Sequence, residues 1–152
     1  MIPRRIVAVR EQSEGVGVID LDCGHSRHVR DRPPQESFPW IRDEDERRAR
    51  IGTTIECGSC DALVRPKQMK RYRKGPSWNA TTIPAGLFKR HELAVGVWGE
   101  LTIVSGRIRL RYFAPLEREL ELGVGTVGTL APEIPHELEL LGDVLLRLDF
   151  YR

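Results

Sequence analysis

The stretch RIRLRYF, residues 107–113, decides how this chain folds. Apolar Ile108, Leu110 and Tyr112 alternate with Arg107, Arg109 and Arg111, the period of two that a half-buried strand requires. Just downstream, RELELG (118–123) sets Glu119 and Glu121 on the face opposite Leu120 and Leu122. Arginines and glutamates on the same outer face predict Arg–Glu pairs across neighbouring strands. These arginines therefore read as a solvated sheet face rather than an anion site.

Working outward, short β-type runs separated by Gly and Pro fill the rest of this half: WNATTIP, LAVGVWG, LTIVSG, VGTLAP, HELELLG and DVLLRLDFYR. Turn signals this frequent, with no sustained helical period, predict an all-β sandwich or barrel over residues 78–152. Upstream, RRIVAVRE, a turn at QSEG and then VGVIDLD predict a hairpin leading into Cys23. RDRPPQESFPW reads as extended, and RDEDERRAR (42–50) as a short polar helix with acids early and arginines late, as the helix dipole prefers. GTTIE is a third strand ending at Cys57.

The chain has 152 residues, room for one ordinary domain or two small ones, and its 40% hydrophobic and 30% charged composition is that of a globular protein. No apolar run approaches the roughly 18–20 residues that span a bilayer. The opening MIPRRIVAVR lacks the apolar core of a signal peptide, so the expectation is a cytoplasmic protein without a membrane partner. The net charge of +2 is unevenly placed: residues 66–77, PKQMKRYRKGPS, carry 5 basic groups and no acid. Bracketed by Pro66 and Pro76, this segment reads as a basic linker between a module at 1–65 and a barrel at 78–152.

The 3 cysteines all precede that segment. An odd number in a reducing compartment argues for metal or thiol chemistry rather than a disulfide framework. CGHSRH (23–28) and CGSC (57–60) together offer Cys23, Cys57, Cys60 and either His25 or His28. Zinc favours four ligands in a tetrahedron and prefers thiolate and imidazole donors. A Cys-x-x-Cys turn with small Gly58 and Ser59 spans one edge of it, and Gly24 lets a tight turn bring His25 round. A small module with little apolar surface needs such a staple, and a closed site of four protein ligands is structural. Two other readings compete with it: a thioredoxin-like redox pair, which wants a βαβ setting absent here, and unrelated buried thiols.

In the second half, carrying the alternation back from Leu101 and Ile103 turns Val97, Val95, Leu93 and His91 inward. The same parity in PHELELLG turns His136 inward with Leu138 and Leu140. Two interior histidines are what a mononuclear divalent metal site would need, although core histidines without metal share the pattern. Trp78 and Trp98 are candidates to wall a ligand pocket, with simple core packing as the alternative.

HELAVGVWGELTIVSG resembles a variant of the first cupin motif, and LAPEIPHELELLGD resembles the second, with Pro135-His136 entering a barrel strand. More narrowly, WNATTIPAGL, GVWGELTIVSG, PEIPHELEL and the terminal DFYR resemble the TehB/YeaR-like domain. That domain occurs alone in bacterial stress proteins and in front of some tellurite-resistance methyltransferases. Residues 1–64 resemble a small bacterial domain through Cys23-Gly24-His25, His28-Val29-Arg30, Pro33-Pro34, Pro39-Trp40 and Cys57 to Asp61. The resemblance implies a cupin-like β-sandwich or barrel behind a zinc-ribbon-like module. A full cupin site has three histidines and a glutamate; only His91 and His136 are present, with Glu92 and Glu100 as further candidates.

The expectation is a stress-associated protein that binds a metal or a small ligand, an oxyanion such as tellurite or nitrite among them. The alternative is a metal-dependent cupin-type oxygenase or isomerase centred on His91 and His136. No Gly-rich loop lies between a strand and a helix, so methyl transfer from S-adenosylmethionine is not expected. The stripe Lys67–Lys74 with Tyr72 could touch nucleic-acid phosphates, but residues 1–65 carry 11 basic against 12 acidic groups and weaken that reading. Exposed strand edges leave room for a homodimer.

Overall fold

The computed structural model describes residues 1–152, a mostly β chain with a curled half-barrel sheet. Two compact units divide it, Met1–Gly58 and Ser59–Arg152.

The first unit is a 4-stranded sheet in which β1 (Ile2–Ser13) lies between β2 (Val16–Leu21) and β4 (Thr54–Cys57). The outer strand β3 (Ser26–Arg30) pairs with β2. All pairings are antiparallel. The β1–β2 hairpin falls where the alternating runs and the Glu14-Gly15 turn place it, with Gly15 at φ 69°. Strand β3 was not foreseen: SRHVR has one apolar residue, Val29, and that residue is buried. Ile2, Ile6, Ile19, Leu21 and Val29 form the core, joined by Ile41 from a one-turn 3-10 segment, Pro39–Arg42. A Cβ on Gly17 would meet the Ile41 side chain at 3.0–3.3 Å, so the glycine makes the seat for that isoleucine. The polar helix α1 (Glu44–Ala49) follows, its first turn capped by the Asp43 carboxylate accepting from the Glu46 N–H.

The second unit holds two antiparallel sheets. One contains β10 (His136–Leu140), β7 (Arg107–Tyr112) and β8 (Arg118–Gly123), in that order. The other contains β5 (Arg71–Asn79), β11 (Leu145–Tyr151), β6 (Trp98–Ser105) and β9 (Val127–Leu130). The two sheets meet at Gly128, where an added Cβ would lie 2.7 Å from Leu122, 3.2 Å from Leu110 and 3.5 Å from Leu101. The Tyr112 hydroxyl ties them again by donating to the Thr129 carbonyl at 2.6 Å.

On the outer face of the three-stranded sheet, Arg109 and Arg111 sit in register with Glu121 and Glu119 on one side and Glu139 and Glu137 on the other. Arg109 reaches Glu119, Glu121 and Glu139 at 3.1–3.3 Å, and Arg111 reaches Glu119 and Glu137 at 3.0 and 3.3 Å. The pairs foreseen between RIRLRYF and RELELG therefore extend over a third strand. Exposed pairs of this kind contribute about 0.2–1 kcal/mol each.

Three expectations need correction. Arg71–Ser77, taken for linker, belongs to strand β5, which pairs with β11. Gly75 and Pro76 mimic a linker because they form a bulge: two residues stand against Leu148, and a Cβ on Gly75 would lie 2.0 Å from the Leu148 carbonyl oxygen. Buried Asp149 accepts the Gly75 N–H at 3.2 Å and holds that bulge. WNATTIP is a strand end followed by a turn, because the Asn79 side-chain oxygen accepts the Thr81 and Thr82 N–H groups. LAVGVWG is not one strand either: Val97 N–H bonds Ala94 in a turn, Gly96 takes φ 73°, and Val95 is 52% exposed rather than inward.

Candidate metal centre and histidine pair

Cys23 lies in the turn that joins β2 to β3. That turn closes through the Leu21 N–H to His25 carbonyl and Gly24 N–H to Leu21 carbonyl bonds, with Gly24 at φ 91°. A side chain at that position would be strained, which is why the knuckle carries glycine. Cys57 ends β4 opposite Ile2, and the one-turn helix α2 (Gly58–Asp61) carries Cys60. The ligand atoms of Cys23, His25, Cys57 and Cys60 all lie within 4.8 Å of one another. His25 Nδ1 is 3.4 Å from the Cys23 sulfur and 3.5 Å from that of Cys57, and these sulfurs are 4.0 Å apart. None of the cysteines forms a disulfide.

All three sulfurs are buried, and His25 is half-buried. Burial disfavours charge on the His25 ring, but hydrogen bonds to Cys23 and Cys57 and the charge on their sulfurs outweigh it, raising its pKa to about 9. The sulfurs thus favour positive charge at this position. In chemical terms the cluster could hold a metal ion through four N/S donors. Of the two histidines open to the sequence reading, the structure brings in His25. His28 sits on β3 in register with Val18 and points to solvent.

In the second unit His91 and His136 form an isolated antiparallel bridge, each backbone N–H donating to the other's carbonyl at 3.0 and 2.9 Å. Their rings lie edge to face with Nε2 atoms 3.1 Å apart. His91 Nδ1 is 2.8 Å from the Lys89 carbonyl, and His136 Nδ1 is 2.9 Å from that of Ile134. A carbonyl oxygen only accepts, so each Nδ1 carries a proton, and the two Nε2 atoms face each other across the bridge. Burial pushes the His136 pKa down to about 4, the Ile134 carbonyl opposing and the His91 charge adding to the fall. His136 is therefore a neutral donor at pH 7. His91 thus reaches its partner by a bridge rather than through the continuous strand that the parity assumed.

The remaining candidates fall elsewhere. Trp98 is fully buried in the core, and Trp78 is half-buried on β5 opposite Leu146. Glu100 pairs with Arg65 at 2.9 Å, and Glu92 is exposed. The groups that orient the histidines, the Lys89 and Ile134 carbonyls, are backbone atoms and leave no signature in sequence.

Comparison with known proteins agrees with this division. Residues 7–64 match the family described as Protein of unknown function (DUF3565), and residues 73–148 match the TehB-like domain. YeaR of Escherichia coli (strain K12) is 26% identical over 95 residues, covering 57% of this chain and 80% of YeaR. A crystal structure of a protein from E. coli (strain K12) superposes with a TM-score of 0.52 at 28% identity, covering 57% of this chain and 93% of that one. TehB from Haemophilus influenzae gives the same TM-score, 0.52, at 23% identity over 56% of this chain and 32% of TehB, a likeness of fold. The TehB-like match takes in half of the sequence, and the chain belongs to the TehB-like domain family.

Proposed function

We propose that this chain is a stress-associated metal-binding protein. An N-terminal module running to residue 65 is stapled by structural zinc, and the TehB-like unit uses His91 and His136 to hold a second divalent metal. That metal presents a small ligand or oxyanion, tellurite or nitrite among the candidates. The observation that carries the reading is the pair of Nε2 atoms facing each other across 3.1 Å, each held by its Nδ1 on a backbone carbonyl. Two ring nitrogens at that distance are held together by a proton or by a metal ion between them. An ion about 2.0–2.1 Å from both nitrogens would see them at roughly 100°, a normal angle between adjacent ligands. Each Nδ1–H is already committed to a carbonyl, as in the outer shell of metal-bound histidines.

For the cluster, zinc with sulfur at about 2.3 Å and nitrogen at about 2.0–2.1 Å demands tetrahedral edges of roughly 3.8 Å between sulfurs and roughly 3.6 Å between sulfur and nitrogen. The separations of 4.0, 3.4 and 3.5 Å lie close to those values. Four protein ligands leave the cluster closed and structural, whereas two leave the histidine site open to ligands from solution. Binding is favoured over cupin-type catalysis because no third His, Cys, Asp or Glu converges on the pair. Methyl transfer forms no part of this reading.

Elemental analysis of the purified protein tests it. Two metal equivalents per chain are expected, one lost in Cys57→Ala and the other in His136→Ala. A His136→Ala protein with unchanged metal content, even after incubation with Fe(II), Mn(II) or Zn(II), would remove the second site.

A further inference from the structure

One motif is left outside both metal sites: His28 and the arginines around it. Arg27, His28, Arg30, Arg32, Glu36 and Phe38 line a concavity of about 330 Å³ in the first unit. The only carboxylate among them is Glu36, set against the guanidinium groups of Arg27, Arg30 and Arg32. The neighbouring acids are committed. Asp31 accepts from Arg42 at 2.9 Å and from the Phe38 N–H at 3.0 Å, and Asp20 takes Arg10 and the Ser26 hydroxyl. Arg27, Arg30 and Arg32 enter no ion pair of their own, while Arg10, Arg42, Arg47 and Arg48 all do.

The walls are held in place before any ligand arrives. Arg32 and Glu36 exchange both backbone hydrogen bonds at 2.9 and 3.0 Å, and the Asp31 N–H bonds the Gly15 carbonyl at 2.7 Å. With Asp31 also holding Phe38, the loop 31–38 is pinned at both ends. Strand β3 supplies the opposite wall, and its Val29 is buried beneath it. Guanidinium forks from residues lining one concavity can match the oxygens of a phosphate, and half-buried Phe38 offers an apolar surface for the rest of a molecule. The volume suits a small ligand.

We propose that this concavity binds a small phosphomonoester through Arg27, Arg30 and Arg32, with the body of the ligand against Phe38. None of these residues takes part in the metal reading, so the two proposals stand or fall apart.

The test is an NMR titration of the full-length, metal-loaded protein at constant ionic strength. Adenosine monophosphate is the probe, with inorganic phosphate and sodium chloride as comparisons. Saturable shifts confined to residues 27–38 are expected. Inorganic phosphate should compete for the same residues more weakly, and affinity should drop at least tenfold in Arg30→Gln and Arg32→Gln. Both side chains are exposed, so the variants should keep the parent spectrum elsewhere. Shifts reproduced by chloride, failure of inorganic phosphate to compete, or unchanged affinity in both variants would overturn the proposal. So would tighter binding of a single-stranded oligonucleotide lacking terminal phosphates, which would make the surface a nucleic-acid contact.

Discussion

The cysteine cluster and the histidine pair gather metal-type donors in opposite ways. Cys23, His25, Cys57 and Cys60 are drawn from two short turns, and their spacing announces them. His91 and His136 lie 45 positions apart and meet through one isolated bridge. The cluster offers four donors that could close around one ion; the pair offers two, which would leave most of a coordination sphere open. Donor number, more than donor type, separates a site that holds a fold together from one that can exchange ligands.

The largest effect that would test this contrast is Cys57→Ala. Structural zinc supplies on the order of 10–16 kcal/mol to small domains, more than such a module has in reserve. Cys57→Ala, or chelation of the parent, is therefore expected to abolish hydrogen-exchange protection in β1–β4 while β6, β7 and β11 keep theirs. Protection that persists in β1–β4 would make the cluster dispensable for folding and erase the contrast.

Next comes His136→Ala. Removing a buried ring on β10 should cost about 2–4 kcal/mol through lost packing, lowering the denaturation midpoint of the second unit. The cluster should keep its metal. Gly128→Ala sharpens the same point without touching a ligand: overpacking against Leu122 and Leu110 should cost about 1–3 kcal/mol. If it loosens the pair while the Cys-bound metal stays at one equivalent, the two sites draw on separate cores. The smallest effect is expected for Arg109→Ala, below about 1 kcal/mol in urea denaturation despite its three carboxylate partners. A larger loss would mean that the charge ladder, rather than the apolar face, holds β7 between its neighbours.

What sequence could show follows the same division. Strict alternation in RIRLRYF and RELELG set faces, partners and even the ion pairs, because one face is buried and a register slip would invert it. The cysteines were legible because metal-ligand spacing is a local property. Gly75, Pro76 and Val95 misled for a physical reason: a bulge and a turn inside β-rich sequence look like a linker and a strand when the partner strand is unseen. The meeting of His91 with His136 was inferred through a continuous strand that does not exist, and it is a tertiary bridge that produces it. The concavity beside β3 has no signature in the sequence because SRHVRDR has too few apolar residues to signal a strand, although it carries three arginines and a histidine against one acid.

The bulge at Gly75 also bears on self-association. An edge strand is a template for a further strand only if it offers a regular row of N–H and C=O groups. On β5, Pro76 has no N–H to offer, and the Gly75 N–H is already taken by Asp149. The edge built from the basic segment is therefore interrupted at its middle as a template for a further strand. The opposite edge of this sheet, β9, offers only four residues, the short-edge device that blunts pairing with a second copy.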